Sequence, residues 1–181
     1  RTLLRTHYAE MGKEALCLQR VEHVLEPICF PDSRVLILGT MPSPRSRQEM
    51  FYYAHPANRF WRVLSCVLGE PFAADIPSRV DMLRRRHIAL WDVLQSCLID
   101  GASDSSIRQP VPNDINLLLD GSDIHAVFTT GKTAYNLYNK LCLPRTGMQA
   151  VSLPSTSAAN ASAGLERLIE AYSVINEYLR P

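Results

Sequence analysis

A turn of small residues follows the first strongly apolar run of the chain, at positions 39–43. Peptide N–H groups in such a turn approach a bound group closely and can donate hydrogen bonds to atoms that carry negative charge. The turn is not a phosphate loop, because neither Gly-x-x-x-x-Gly-Lys-Ser/Thr nor Gly-x-Gly-x-x-Gly is present. The candidate binding residues here are Gly39, Thr40, Met41, Pro42 and Ser43.

The next segment, residues 51–61, mixes aromatic rings with polar side chains at high density. Between Arg34 and Arg62 there are five Arg and one Glu, a local net charge of +4 in a chain of formal net charge +1. Bulk charge therefore does not indicate nucleic-acid binding. The positive charge is concentrated near the turn and the aromatic residues, which predicts a phosphate-binding surface there.

Three further positions allow a structural and a functional interpretation. Taken alone, Asn58 is best explained as a cap of the helix that begins near Arg59, and the hydroxyl cluster at 155–160 as a cap of the last helix. His55, which precedes a proline, fits a bond to the loop backbone as well as a contact with a substrate. Asp92 either bonds neighbouring amides or reads a ligand.

Four short apolar runs rich in β-branched residues are predicted to be buried strands: 34–40, 87–93, 125–131 and 149–154. Helical patterns lie between and after them, with apolar faces that include Phe60, Leu137 and Leu168. This alternation predicts an α/β fold, a three-layer α/β/α domain with a central, mainly parallel four-stranded sheet. A ligand site is then expected at the carboxyl ends of the strands.

The chain is predicted to form one domain, residues 21–181, preceded by an N-terminal extension, residues 1–20. Residues 96–113 are rich in turn formers and are predicted to be a long functional loop. The five cysteines lack C-x-x-C pairs, and the five histidines are scattered. We therefore expect no metal and no cofactor, and free thiols in a cytoplasmic protein that associates with no membrane.

Four motifs occur in colinear order: Gly39-x-Met-Pro-Ser, Tyr52-Tyr53-Ala-His-Pro-Ala-Asn58-Arg-Phe-Trp61, Leu90-Trp-Asp-Val93 and Leu153-Pro-Ser-Thr-Ser-Ala-Ala-Asn160. Together they resemble the uracil-DNA glycosylase superfamily, and within it the hypoxanthine-DNA (deoxyinosine) glycosylase branch. Two departures argue against a strong uracil enzyme: Met41 stands where the mismatch-specific uracil branch has Asn, and Leu153 where the classical uracil enzymes have His.

The resemblance implies a role for each candidate. Asn58 would be catalytic and orient the attacking water, Tyr53 would stack on the flipped base, and Asp92 would read the base edge. Amides of the 39–43 turn would receive the charge of the leaving base. His55 would contact base or sugar. The residues that the resemblance places against the DNA are Ser155, Thr156, Ser157 and Asn160.

The resulting prediction is a monofunctional DNA glycosylase of base excision repair. It would hydrolyse the N-glycosidic bond of hypoxanthine first, and of uracil or xanthine next, in single-stranded or duplex damaged DNA, as a monomer. Two alternatives remain open: a mismatch-type uracil-DNA glycosylase, and a catalytically silent DNA-binding member of the same fold.

Overall fold

The computed structural model describes residues 17–180. Its strands are β1 Gln19–Glu22, β2 Val35–Gly39, β3 Ile88–Asp92, β4 Leu94–Ile99, β5 Arg108–Pro112, β6 Ala126–Thr130 and β7 Ala150–Leu153. Its helices are α1 Pro44–Glu49, α2 Phe60–Leu68, α3 Ile76–Arg85, α4 Asn116–Leu119, α5 Lys132–Leu141, α6 Leu143–Thr146, α7 Leu165–Tyr172 and α8 Ile175–Leu179.

The predicted central sheet is confirmed, with the strand order β3-β2-β6-β7 and every neighbouring pair parallel. Strands β2, β3 and β6 are buried along their whole length, which explains why their sequences are continuous apolar runs rather than alternating ones. In this register Gly39 pairs with Asp92, and Thr130 pairs with Leu153. The carboxyl ends of the four strands therefore meet at one edge of the sheet.

Helices pack against this sheet and against one another, as the α/β/α prediction requires. Helix α3 contacts β3, α5 contacts β6 and β7, α8 contacts β2, and α2 packs on α7. The apolar face of α2 includes the fully buried Phe60, Val63 and Leu64. Burial of such side chains contributes roughly 1.5–3 kcal/mol each to folding. The α2–α7 contact matters for function, because each helix begins beside one of the sequence motifs.

The prediction of a loop over residues 96–113 was wrong. The segment contains most of β4 and all of β5, which join β1 in a three-stranded antiparallel sheet of order β1-β4-β5. The turn formers that suggested a loop lie at the tip, in a 3₁₀ turn at Asp104–Ser106, and as prolines in β5. Because β5 is an edge strand, its prolines are tolerated there.

The predicted N-terminal extension, residues 1–20, falls mainly on residues 1–16, outside the described part of the chain. Its last two residues begin β1, which pairs with β4 from Gln19 to Glu22. Within residues 17–180 no helix is long and apolar enough to cross a membrane.

Candidate active site

A cleft of about 550 Å³ opens at the carboxyl edge of the parallel sheet. The turn after β2, the end of β3 and the loop after β7 border it, together with the tip of the β4–β5 hairpin. The predicted site residues that line this cleft are Gly39, Thr40, Met41, Pro42, Ser43, Tyr53, Asn58, Asp92, Ser155, Thr156, Ser157 and Asn160. Residues from four separate motifs thus meet in one place.

The floor of the cleft requires a glycine at position 39. A Cβ atom added there would lie 2.3 Å from Oδ1 of Asp92 and 3.2 Å from the hydroxyl of Tyr53. No real Cβ atom tolerates the first distance, so any other residue would displace the carboxylate or the backbone. Because Gly39 has no side chain, the Asp92 carboxylate at the end of β3 can lie directly against the backbone at the end of β2.

The Asp92 carboxylate is held by a histidine that the sequence did not indicate. Oδ2 of Asp92 lies 2.9 Å from Nε2 of His23, and both side chains are buried, with 6% and 3% of their surface exposed. Burial raises the pKa of Asp92, and the hydrogen bond and charge of His23 oppose that rise. His23 follows β1 directly and its N–H donates to the carbonyl of Gln95, so the second sheet places this residue.

The 39–43 turn presents backbone donors to the cleft. Its far end is fixed because Ser43 caps α1, accepting from the N–H of Ser46, with a proline at the start of the helix. Within the described chain, the N–H groups of Thr40, Met41 and Ser43 donate to no acceptor. Unpaired amides at a cleft wall are suited to a bound group that carries negative charge.

Tyr53 forms a rigid aromatic platform beside these amides. Its φ of 51° lies in the left-handed region, which costs a non-glycine residue roughly 1–2 kcal/mol. Two contacts hold it there: its ring stacks on Phe60 with centroids 3.8 Å apart, and its hydroxyl lies 3.2 Å from Oγ1 of Thr130. Burial, and next the charge of Asp92, raise the pKa of Tyr53 well above its usual range, so the phenol is neutral.

Asn58 joins the second motif to the last one. Its Oδ1 accepts from the N–H of Phe60 at 2.9 Å and from the hydroxyl of Thr156 at 2.8 Å. The first bond is the helix-start bond that the structural interpretation expects. The second uses the other lone pair of the oxygen, and Nδ2 has no partner among residues 17–180. Asn58 therefore offers the cleft a donor and no acceptor.

The loop after β7 is held in place by Arg59, a residue that the sequence did not indicate; we call these contacts the Arg59 clamp. Its guanidinium donates to the carbonyl oxygens of Thr156, Ser157 and Asn160 at 3.3, 2.9 and 3.0 Å, and also to that of Ala163. Thr156 is only 1% exposed, and its hydroxyl is used by Asn58. The side chain of Thr156 thus positions Asn58, while the serines on either side line the cleft.

The opposite wall of the cleft is the tip of the β4–β5 hairpin, which lies within the segment predicted to be a long functional loop. Its lining residues include Ser103, Asp104 and Ser105. Oδ2 of Asp104 accepts from the hydroxyl of Thr40 at 2.9 Å, so this hairpin is tied to the 39–43 turn. Desolvation, followed by the charge of Asp92, raises the pKa of Asp104.

A sequence model of the Uracil DNA glycosylase superfamily matches residues 27–180, which include every residue of the cleft. The chain belongs to this superfamily. It is 32% identical over 136 residues to a protein named hypoxanthine DNA glycosylase from Methanosarcina barkeri, covering 74% of this chain and 85% of the relative. A relative of the same name from Methanosarcina acetivorans is 31% identical over 131 residues, covering 71% and 82%.

The fold agrees with this membership. The solution NMR structure of a Methanosarcina acetivorans protein assigned to the uracil DNA glycosylases superposes with a TM-score of 0.76 at 26% identity. The match covers 90% of this chain and all of the other. The predicted resemblance to the uracil-DNA glycosylase superfamily is therefore confirmed by the family model, by the two relatives and by the solved structure.

Two predictions for this superfamily member, the role of His55 and the concentration of positive charge, differ from the structure in whole or in part. His55 is exposed and does not line the cleft; its Nδ1 accepts from the N–H of Ala57 at 3.1 Å, which is the structural interpretation. The predicted concentration of positive charge is found only in part. Arg34 lies at the opposite end of the sheet, where it donates to the carbonyl of Leu179, and Arg59 is used inside the clamp. Arg45 and Arg47 do lie on α1 directly after the turn, and Arg47 donates to the carbonyl of Pro42 at 2.7 Å.

The cleft of this glycosylase-family chain is instead poor in cations. Among its lining residues two carry carboxylates, Asp92 and Asp104, and none is Lys, Arg or His. In the described part of the chain, no three His, Cys, Asp or Glu side chains are grouped so as to hold a metal ion. Besides apolar side chains such as Met41 and Ile99, the lining thus offers hydroxyls, amides, aromatic rings and two acids.

Proposed function

We propose that this protein is a monofunctional DNA glycosylase that hydrolyses the N-glycosidic bond of deaminated bases, with hypoxanthine as its principal base. The observation that carries the proposal is the pairing of the Tyr53 platform with the unpaired amides of the 39–43 turn in one cleft. Membership of the superfamily and the names of the two relatives support it. The substrate would be damaged DNA, bound by a monomer.

The base would be held by stacking and by hydrogen-bond donors. An extruded base stacks on the free side of Tyr53, whose other side rests on Phe60. The amides of the turn would donate to the base as the glycosidic bond breaks and negative charge develops on it. Nδ2 of Asn58 would hold the attacking water by its oxygen. Both features suit a neutral ring that becomes anionic, which is the course of base release.

Asp92 would read the edge of the base. Deamination converts N1 of adenine and N3 of cytosine from acceptors into N–H donors, so hypoxanthine and uracil each carry a donor that the parent base lacks. A carboxylate on the cleft floor accepts such a donor and repels the lone pair of an undamaged adenine or cytosine. His23 would keep that carboxylate oriented for this task.

The loop after β7 would position the DNA strand. The hydroxyl oxygens of Ser155 and Ser157 accept from the N–H groups of Ser157 and Ala159, which leaves their O–H groups free to donate to phosphates. Asn160 donates to the carbonyl of Ser155 and keeps the loop in shape. Such contacts position a strand without reading its sequence.

The product would be an intact abasic site. Strand cleavage by β-elimination needs an amine that forms a Schiff base with the sugar, and no lysine lines the cleft in the described residues. Lys132 begins α5 and lies outside the lining. Borohydride added to enzyme and inosine DNA is therefore expected to trap no covalent complex; a trapped adduct above the control would contradict the monofunctional assignment.

A base-release assay tests the proposed function directly. Oligonucleotides carry a single inosine, uracil or xanthine, each single-stranded and opposite each normal base, and single-turnover release is measured. The expected result is release from inosine above the others and none from undamaged adenine or cytosine. Faster release of uracil opposite guanine would favour a mismatch-type uracil enzyme, and tight binding without any release would identify a silent DNA-binding member.

A further inference from the structure

We propose that Asp104 is a catalytic carboxylate of this site, held by the Thr40 hydroxyl to accept the proton of the attacking water. The inference rests on the proposed function and extends it to the sugar side of the cleft. It concerns a residue outside all four sequence motifs, on the hairpin tip that the sequence had suggested was a loop.

The first argument is that Asn58 cannot take this proton. Both lone pairs of its Oδ1 are used, by the N–H of Phe60 and the hydroxyl of Thr156. What remains is an N–H₂ donor, which can hold a water by its oxygen but cannot remove a proton from it. A separate acceptor is needed.

The second argument is that the other cleft acid is already committed. Oδ2 of Asp92 is bonded to His23, and Oδ1 lies against Gly39 on the floor, where a base would enter. Asp104 lies on the wall instead. Its Oδ2 is oriented by Thr40, and its Oδ1 has no hydrogen-bond partner among residues 17–180. One oxygen is thus fixed and the other is available.

The third argument is electrostatic. No Lys, Arg or His of the described chain lies within ion-pair distance of Asp104, and the cleft lining holds no cation. An unpaired carboxylate weakens the binding of a polyanion such as DNA, so it is unfavourable in a site that only binds. It becomes favourable when positive charge develops on the sugar during bond cleavage.

The step balances as a hydrolysis. The C1′–N bond breaks and its electron pair leaves with the base, whose negative charge is received by the turn amides. The water oxygen forms a bond to C1′, and one water proton passes to the Asp104 carboxylate. That proton is then released to solvent, and the base anion takes one up, so the net reaction consumes one water. No oxidant, metal or amine is required.

The rate should then depend on the ionisation of Asp104. Desolvation and the neighbouring charge of Asp92 raise the pKa of Asp104, so the proton acceptor is lost at a higher pH than for a free carboxyl. Excision should be full above that raised pKa and fall as the pH drops through it. The other ionisable groups of the hairpin tip itself are Asp100 and Arg108, whose guanidinium donates to the carbonyl of Ser105. Beyond the tip lie Asp92 with its partner His23, Cys97 on β4, and Arg47 and Glu22 near Cys97.

The test compares Asp104→Asn with Asp100→Asn, a matched control in the same hairpin tip whose residue does not line the cleft. Single-turnover release from an inosine duplex is followed across a pH series that runs from acidic to mildly alkaline solution. DNA binding is measured separately. Asp104→Asn is expected to be about 100-fold or more slower, within the range for general acid–base catalysis, and to lack the acidic limb of the profile.

DNA binding by Asp104→Asn should be unchanged or tighter, because a negative charge has been removed, and Asp100→Asn should behave as the wild type. As a second variant, Thr40→Val should slow release while Thr40→Ser restores it, since the hydroxyl alone orients Asp104. An Asp104→Asn rate within about threefold of wild type, or a retained acidic limb, would overturn this assignment alone. A wild-type protein that releases no base would overturn the proposed function and this inference with it.

Discussion

The two walls of the cleft are built in opposite ways. The motif wall, formed by residues 39–43, Asn58 and the 155–160 loop, is cross-linked by the Asn58–Thr156 bond and by the Arg59 clamp. The hairpin wall, Ile99 with residues 101–105, is largely exposed and is tied to the motif wall through the Thr40–Asp104 bond.

The difference assigns a separate kind of chemistry to each wall. The motif wall holds neutral donors, which stabilise negative charge only if they are fixed before the reaction. Its dense bonding supplies that fixation. The hairpin wall holds a carboxylate, which acts over a longer range and needs one orienting bond rather than many. The negative charge of the leaving base and the proton of the attacking water would thus be received by elements of two different sheets.

The largest effect on the motif wall is expected for Asn58→Ala. Loss of one fixed donor should lower single-turnover release about 10²–10³-fold. DNA binding should change little, because the donor acts in the transition state. The measurement is release from an inosine duplex beside a binding titration. Undiminished release would remove Asn58 from the mechanism.

Gly39→Ala should damage the junction of the two walls. The new Cβ meets Oδ1 of Asp92, so we expect a loss of about 1–3 kcal/mol in the free energy of unfolding, together with slower release. Gly164→Ala is the comparison variant: its φ of −63° suits alanine, nothing lies within 4 Å of the added Cβ, and loss of the glycine N-cap of α7 should cost about 1 kcal/mol or less. The free energies of unfolding of both variants are measured by urea denaturation and compared with that of the wild type. Equal stabilities would show that the floor is less tightly packed than described.

Tyr53→Ala should weaken capture of the base by about 1–3 kcal/mol, the contribution of one aromatic stacking contact. Tyr53→Phe keeps the ring on Phe60 and loses only the hydroxyl contact with Thr130. It should therefore retain capture. Affinity for inosine DNA relative to undamaged DNA is the measurement. A Phe variant as poor as the Ala variant would mean that the hydroxyl, not the ring, is needed.

The smallest effects compare one serine from each wall. Ser157→Ala should weaken binding to all DNA sequences alike by about 1 kcal/mol or less, because it loses one phosphate donor. Ser103→Ala, on the hairpin wall, should leave DNA binding unchanged. Titrations against several duplexes check both. A loss for Ser157→Ala that depends on the base would show that this loop reads sequence.

Local sequence was sufficient for the parallel sheet and for most of the motif wall. Buried parallel strands are continuous apolar runs, and parallel strands end at one edge, so the turn at Gly39 and the loop after Leu153 had to meet. Tyr53 and Asn58 were indicated by the resemblance of residues 52–61 to a family motif, whereas Asn58 taken alone was best explained as a helix cap. These features depend on short-range periodicity and on motifs, which a single sequence displays directly.

Only the tertiary structure decided which groups those residues contact. His23 lies 69 positions from Asp92, and Thr40 lies 64 positions from Asp104, so no local pattern could pair them. The β1-β4-β5 sheet that makes both pairings was hidden by turn formers, which a sheet edge tolerates. The sequence also could not show that Asn58 is left with only a donor, because this follows from the hydrogen bond that the distant Thr156 hydroxyl donates to its oxygen. Long-range pairing is fixed by packing and burial together, and these are properties of the folded chain.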